Sequence, residues 1–197
     1  MQAGFLHGQK SIEKLLQDPS LTQIYVEAQL FNKLQISSKQ SKSLSVQARL
    51  EGEYSEHQLL SFIRKGNTLF IRPNFSDVFE LPNDKLSAHK VYAIDVTAVV
   101  PEHIEIVIAA KAIQLHATGF FKNLQISLEE GFCSLENLGG EIVVRTSEAS
   151  IVLKQSSGVV VAESSYGKLS LAAIPKGPAR IHLSSVSGDI SLLNQVP

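Results

Sequence analysis

The chain is poor in several things. Its 197 residues hold no tryptophan, one methionine and one cysteine. A lone Cys133 cannot form an internal disulfide and supplies no cysteine-based metal set. Charge of a single sign is lacking too: 18 Lys and Arg stand against 19 Asp and Glu, a net charge of −1. That balance gives neither a basic field for nucleic acid nor an acidic field for a basic partner. No apolar run reaches the roughly 18 residues of a membrane span, because Glu102, Glu105 and Lys111 interrupt the best candidate. The start, Met1 to Phe5, shows no charged region followed by an apolar one, so it reads as lacking an export signal, which favours the cytoplasm. What remains is ordinary globular material, 44% hydrophobic and 19% charged, enough for one core or two small ones.

What the chain does have is punctuation. Gly131, Gly140, Ala149, Gly158 and Gly167 each stand nine positions after the last, and Gly177 and Gly188 continue the series with slips of one and two. The second residue after each marker reads Cys133, Ile142, Ile151, Val160, Leu169, Ala179, Ile190; the fourth reads Leu135, Val144, Leu153, Ala162, Leu171, Ile181, Leu192. The fifth is mostly polar, from Glu136, Arg145, Lys154 and Glu163 to His182. Apolar residues two apart with polar ones between them are the mark of a strand with one buried face. Short strands at such even spacing predict a repeat fold. Upstream, Ile104-Ile106-Ile108, Ile113-Leu115 and Leu124-Ile126-Leu128 alternate likewise, and Tyr92 to Val100 reads as a longer strand.

Strand spacing alone fits both an antiparallel meander and a coil with two strands per turn. The charges favour the coil. Positions 18 apart would stack directly, setting Glu136 beside Lys154 and Arg145 beside Glu163. Each pair is of opposite sign and worth roughly 0.2–1 kcal/mol.

The first hundred residues are less regular. Ser11 to Leu16, with Ile12, Leu15 and Leu16 apolar, predicts a short helix ending before Asp18-Pro19. Strand-like runs follow at 24–26, 34–36, 44–48 and 69–71, and residues 73–90, rich in Pro, Asn and Asp, read as a long loop. No Ser/Gly-rich linker separates the halves. The expectation is a single domain over 1–197: a helical segment 1–22, a β-rich first part 23–100, and a regular array 101–197, with the first part capping the open end of the array.

These polar-flanked strands, ending in Ser187-Gly188-Asp189-Ile190-Ser191-Leu192, resemble the bacterial putative-adhesin family of stacked β-coil domains common in Bacteroidetes. The resemblance spans about residues 24–193. It implies an all-β, right-handed two-sheet β-solenoid with roughly nine-residue half-coils, placed at or near the cell envelope. It brings no catalytic residues to carry over.

Reactive chemistry is sparse. Calcium-binding nonapeptide repeats share the nine-residue period but need aspartates at each turn, and residues 131–187 contain none. Glu129-Glu130 is the one adjacent acidic pair, at an expected turn. The six histidines have no zinc spacing, and no Gly-x-Ser-x-Gly, P-loop or dinucleotide fingerprint occurs. No cofactor is implied. Candidate binding residues are Asp84, Lys85 and His89 in the 73–90 loop, a cluster that local turn hydrogen bonding also explains, and Tyr166 at a turn as a platform for a sugar ring. Val143, Val159 and Val161 occupy outward columns and form a candidate interaction surface, to be covered either by a partner or by the N-terminal helix. The reading is a non-enzymatic scaffold presenting a β-sheet surface to a protein or glycan. Two alternatives are a carbohydrate-active β-helix enzyme and a self-associating structural protein that forms homo-oligomers.

Overall fold

The computed structural model describes residues 9–51, 58–75 and 93–195. Among them are thirteen strands and no helix: β1 (Gln9–Gln17), β2 (Gln23–Glu27), β3 (Lys33–Lys39), β4 (Ser43–Glu51), β5 (Gln58–Lys65), β6 (Thr68–Phe75), β7 (Ala93–Pro101), β8 (Glu105–Thr146), β9 (Ser150–Gln155), β10 (Val159–Ser164), β11 (Leu169–Leu171), β12 (Arg180–Ser185) and β13 (Ile190–Asn194). The sheet does not close on itself; it has free edges.

β8 is 42 residues long because it rounds several corners without losing its pairing. Its 105–109 stretch pairs in parallel with β2, and its 114–118 stretch with β3. Further on, 132–136 pairs with β9 and 141–146 with β12. The chain therefore supplies alternate stretches to two ladders. Between them, the Lys122 amide donates to Glu102 and the Ser147 amide to Leu128, so 123–128 bridges the first ladder. One pitch is 18 residues: Phe132 lies opposite Ser150 and Glu136 opposite Lys154. The first of the two expected charge pairs thus stands in register.

The alternation seen in the sequence is the cause of this geometry. Ile106, Leu124, Ile142, Val144, Ile181 and Leu183 point inward from one ladder, and Leu34, Leu115, Leu135, Ile151, Leu153 and Ile190 from the other; all are buried. Each such side chain contributes about 1.5–3 kcal/mol by leaving water. Ile and Val share these columns equally with Leu, the β-branched half suiting the pleat.

Glycine has two different uses at the corners. Gly131 and Gly140 hold φ of 103° and 91°, which side-chain-bearing residues rarely adopt. Gly188 has no such φ; a Cβ there would collide with the backbone carbonyl of Ala149 in the neighbouring corner.

Three expectations need correction. Residues 11–16 are not helical: they lie in β1, antiparallel to β4 with Ile12 opposite Ala48 and Leu16 opposite Leu44. Ile12 and Leu16 pack against the core while Leu15 is 65% exposed, the split of a period-two strand. The stretch 73–90 is not loop from its start, since Pro73 to Phe75 pair with β5; 76–90 lie outside the described residues. Arg145 does not neighbour Glu163. Ser184 stands opposite both, because β12 lies between the 141–146 stretch and β10. In the same way β13 lies between β9 and β11.

At the other end of the ladders the pairing becomes antiparallel. β1, β4 and β7 form one such group, and β5 and β6 another.

Candidate functional site

The outward face of β1, β4, β7 and β3 holds a shallow recess of about 390 Å³, lined mainly by Glu13, Lys33, Gln47, Arg49, Asp95 and Thr97, with Gln35 at its side. Strand register builds it in two rows. Glu13, Gln47, Thr97 and Gln35 stand opposite one another in sequence across the four strands. Ser11, Arg49, Asp95 and Lys33 form the next row. Their neighbours along each strand, such as Ala48 and Val96, are buried, so the polar residues are forced outward by the same alternation that builds the core.

Hydrogen bonds run along the rows rather than between them. Gln47 Nε2 donates to Glu13 Oε1 at 3.3 Å, and Thr97 Oγ1 to Gln35 Oε1 at 3.4 Å. Asn32 Nδ2 donates to Asp95 Oδ1 at 3.0 Å. Arg49 and Lys33 flank Asp95 in register and make no ion pair among the described residues. The recess therefore offers two free cations, a carboxylate and several amides, so that donors and acceptors outweigh the apolar part of its lining. It contains no nucleophile held by a base. No group of three or more metal-ligating side chains occurs among the described residues.

Of the residues singled out from the sequence, the described ones lie elsewhere. Asp84, Lys85 and His89 fall outside the described residues. Tyr166 sits on the corner between β10 and β11, 84% exposed, with its amide donating to the Val186 carbonyl at 2.9 Å. That corner is at the opposite end of the ladders from the recess. Val143, Val159 and Val161 share one ladder but do not touch as a patch. His182 stands opposite both Val143 and Val161, and Arg180 stands opposite Val159. Val159 and Val161 are 51% and 54% exposed, and Val143 is half-buried. Ile12, Leu15 and Leu16 do not cover them, since β1 is at the far end.

Around the valines the polar groups pair off. Arg180 Nη1 reaches Glu141 Oε1 at 2.9 Å and His182 Nε2 reaches Glu163 Oε1 at 3.3 Å. Cys133 is enclosed in the core, and burial pushes its thiol up to about 12, so it is no nucleophile at neutral pH. The recess was missed in the sequence because its residues come from four strands of the irregular first part. Gln35, Gln47, Asp95 and Thr97 lay on runs already read as strands, whereas Glu13 lay in the expected helix and Lys33 and Arg49 just beyond the runs.

No known family model and no curated protein matches the chain. The fold does have counterparts among solved structures. A putative cell adhesion protein from Clostridium sporogenes superposes with a TM-score of 0.61 at 12% identity, covering 95% of this chain and all of that one. The class is therefore an all-β chain with the fold of that protein. A putative adhesin from Bacteroides fragilis is also similar, at a TM-score of 0.28 and 12% identity over 93% of this chain and 97% of that one. A putative lipid binding protein from Parabacteroides distasonis gives 0.28 at 9% identity, over 94% and 95%. No helix among the described residues is long and apolar enough to cross a membrane.

Proposed function

We propose that the chain is a non-enzymatic binding scaffold, a two-ladder β-solenoid whose outward faces recognise a partner, and that the partner at the β1–β4–β7–β3 recess is a glycan. The observation that carries this reading is the recess itself: Arg49, Lys33, Asp95, Gln35, Gln47 and Thr97 converge there as hydrogen-bonding groups without a catalytic constellation. A hydroxyl-rich ligand satisfies such a surface; an apolar peptide would leave its donors and acceptors unpaired. The two free cations favour a sugar bearing a carboxylate, which Arg49 can bind in bidentate fashion. The name of the Clostridium protein supports an adhesive role for the fold, in keeping with the scaffold reading.

The test is a glycan array probed with the wild-type chain and with Arg49→Ala/Lys33→Ala. Binding of uronic-acid or sialylated glycans that the double variant loses at least tenfold supports the proposal. Glycan binding that the variant retains, or no glycan binding at all, overturns the assignment of this recess.

A further inference from the structure

The order of the last two windings in space is not their order along the chain. After the winding 141–155 the chain passes to β10 and β11, which form the outer edge, and then returns through 172–179 to lay β12 and β13 in the slot between. The return segment carries Pro175, Gly177 and Pro178 and no strand. The link from Gln155 to Val159 thus skips one strand position on the ladder it enters, whereas the link of the same sense from Glu136 to Glu141 skips none.

The two windings share the same column pattern. Val160 and Ala162 take the inward places that Ile181 and Leu183 take, and Leu169 and Leu171 those of Ile190 and Leu192. A sequential stack would place Glu163 opposite Arg145 and Val161 opposite Val143. That is an ion pair and an apolar contact, neither of which the present order makes. The present order has its own contacts, the Arg180–Glu141 ion pair and a Thr146–Ser185 hydroxyl bond of 2.8 Å, while the His182–Glu163 pair belongs to the β10–β12 adjacency that both orders keep. Complementary surfaces thus exist for both orders.

We propose that the last two windings form a two-state element: β12–β13 leaves its slot, β10–β11 docks directly on the 141–155 winding, and the outer edge changes from Val159–Ser164 to Arg180–Ser185. The exchange would replace an exposed edge carrying Val159, Val161 and Glu163 by one carrying Arg180 and His182. A partner pairing with that edge would bind only one of the two forms.

Cysteine pairs read the order directly in the full chain with Cys133→Ala. Arg145→Cys/Ser184→Cys are neighbours only in the present order, and Arg145→Cys/Glu163→Cys only in the sequential one. In the present order the second pair is two strand spacings apart, about 9.5 Å, too far for a disulfide. Ser127→Cys/Glu163→Cys, adjacent in neither, is the control. Under mild oxidation both test pairs should close within the monomer, the 145/163 pair more slowly and the control not at all. Leu183→Ala, which trims a side chain buried only while β12 is in its slot, should raise closure of 145/163 relative to 145/184 about tenfold. Closure of 145/163 no faster than the control, or a Leu183→Ala effect equal on the control pair, overturns the exchange.

Discussion

Replacing Gln155 by leucine removes one side chain and strands a whole corner. Gln155 is 3% exposed, and its carboxamide faces the Leu138 peptide from one pitch away. The Leu138 amide donates to Gln155 Oε1 at 2.8 Å, and Gln155 Nε2 donates to the carbonyls of Leu138 at 2.7 Å and Ser157 at 2.8 Å. Leu138 follows Asn137, whose φ of 46° turns the chain, and the Gln155 side chain partners both of its backbone groups. Leucine keeps the volume and satisfies none of the three. Each buried polar group left alone costs about 1–3 kcal/mol, and with water reaching the half-buried Ser157 side the total comes to about 2–4 kcal/mol. With a urea slope of about 2–3 kcal/mol/M the midpoint should fall by about 1–2 M. Exchange of the Leu138 amide hydrogen should accelerate by at least tenfold while the core amides of β9 change less. The companion Gln155→Glu adds a sign test. Burial raises the folded-state pKa of a carboxyl above its free value of about 4.3. The variant should therefore be most stable below about pH 4.3, where the acid can still donate to a carbonyl, and should lose stability as the pH rises through the raised value. A midpoint unmoved by Gln155→Leu, with Leu138 exchange unchanged, would refute the clip.

Other substitutions separate close approach from backbone conformation and strand from helix. Gly188→Ala should cost about 1–3 kcal/mol in thermal or urea unfolding, because its Cβ meets the Ala149 backbone, whereas Gly66→Ala, with nothing within 4 Å but a φ of 59°, should cost about 1–2 kcal/mol. In β1, Ile12→Asp should destabilise the fold and Leu15→Asp should leave the urea midpoint within experimental scatter; equal losses would restore a helical face. Cys133 should stay unreactive toward a thiol reagent until unfolding. Its raised pKa contributes stability that is intact below the free thiol's value near 8.5 and is lost as the pH climbs toward about 12, measurable as a falling unfolding temperature in that window.

Much of the fold was legible because each strand's inward columns are set by local alternation. Cys133 and Leu135, Ile142 and Val144, Ile151 and Leu153 announce the burial they have, and the 18-residue offset of Glu136 and Lys154 announces parallel stacking. β1 was misread for a physical reason. Ile12, Leu15 and Leu16 satisfy a 3.6-residue period as readily as Ile12 and Leu16 satisfy a two-residue one, and only the free edge of β4 decides between them. The recess was illegible on other grounds: its residues are ordinary outward positions, and their meeting depends on which strands adjoin. The β4–β7 pairing joins residues about 50 apart, and no local pattern encodes it.

The spatial order of the last windings was hidden by the very regularity that revealed the strands, since repeats with the same columns can trade places without breaking the pattern. Size is what separates them. Ile181 and Leu183 carry four more carbons than Val160 and Ala162, while Ile190 and Leu192 match Leu169 and Leu171 in carbon number. At about 0.8 kcal/mol per buried methylene, and with the outer winding still half-covered, placing the larger pair inside favours the observed order by about 1–2 kcal/mol. Against this, the Arg145–Glu163 pair available to the sequential order is worth at most about 1 kcal/mol. The balance falls to the observed order by a margin small enough for one interior substitution to reverse. The slips of one and two residues at Gly177 and Gly188 mark where this happens. A chain that simply continued its coil had no need of extra residues, and one that turns back across a neighbouring winding to reach its slot does.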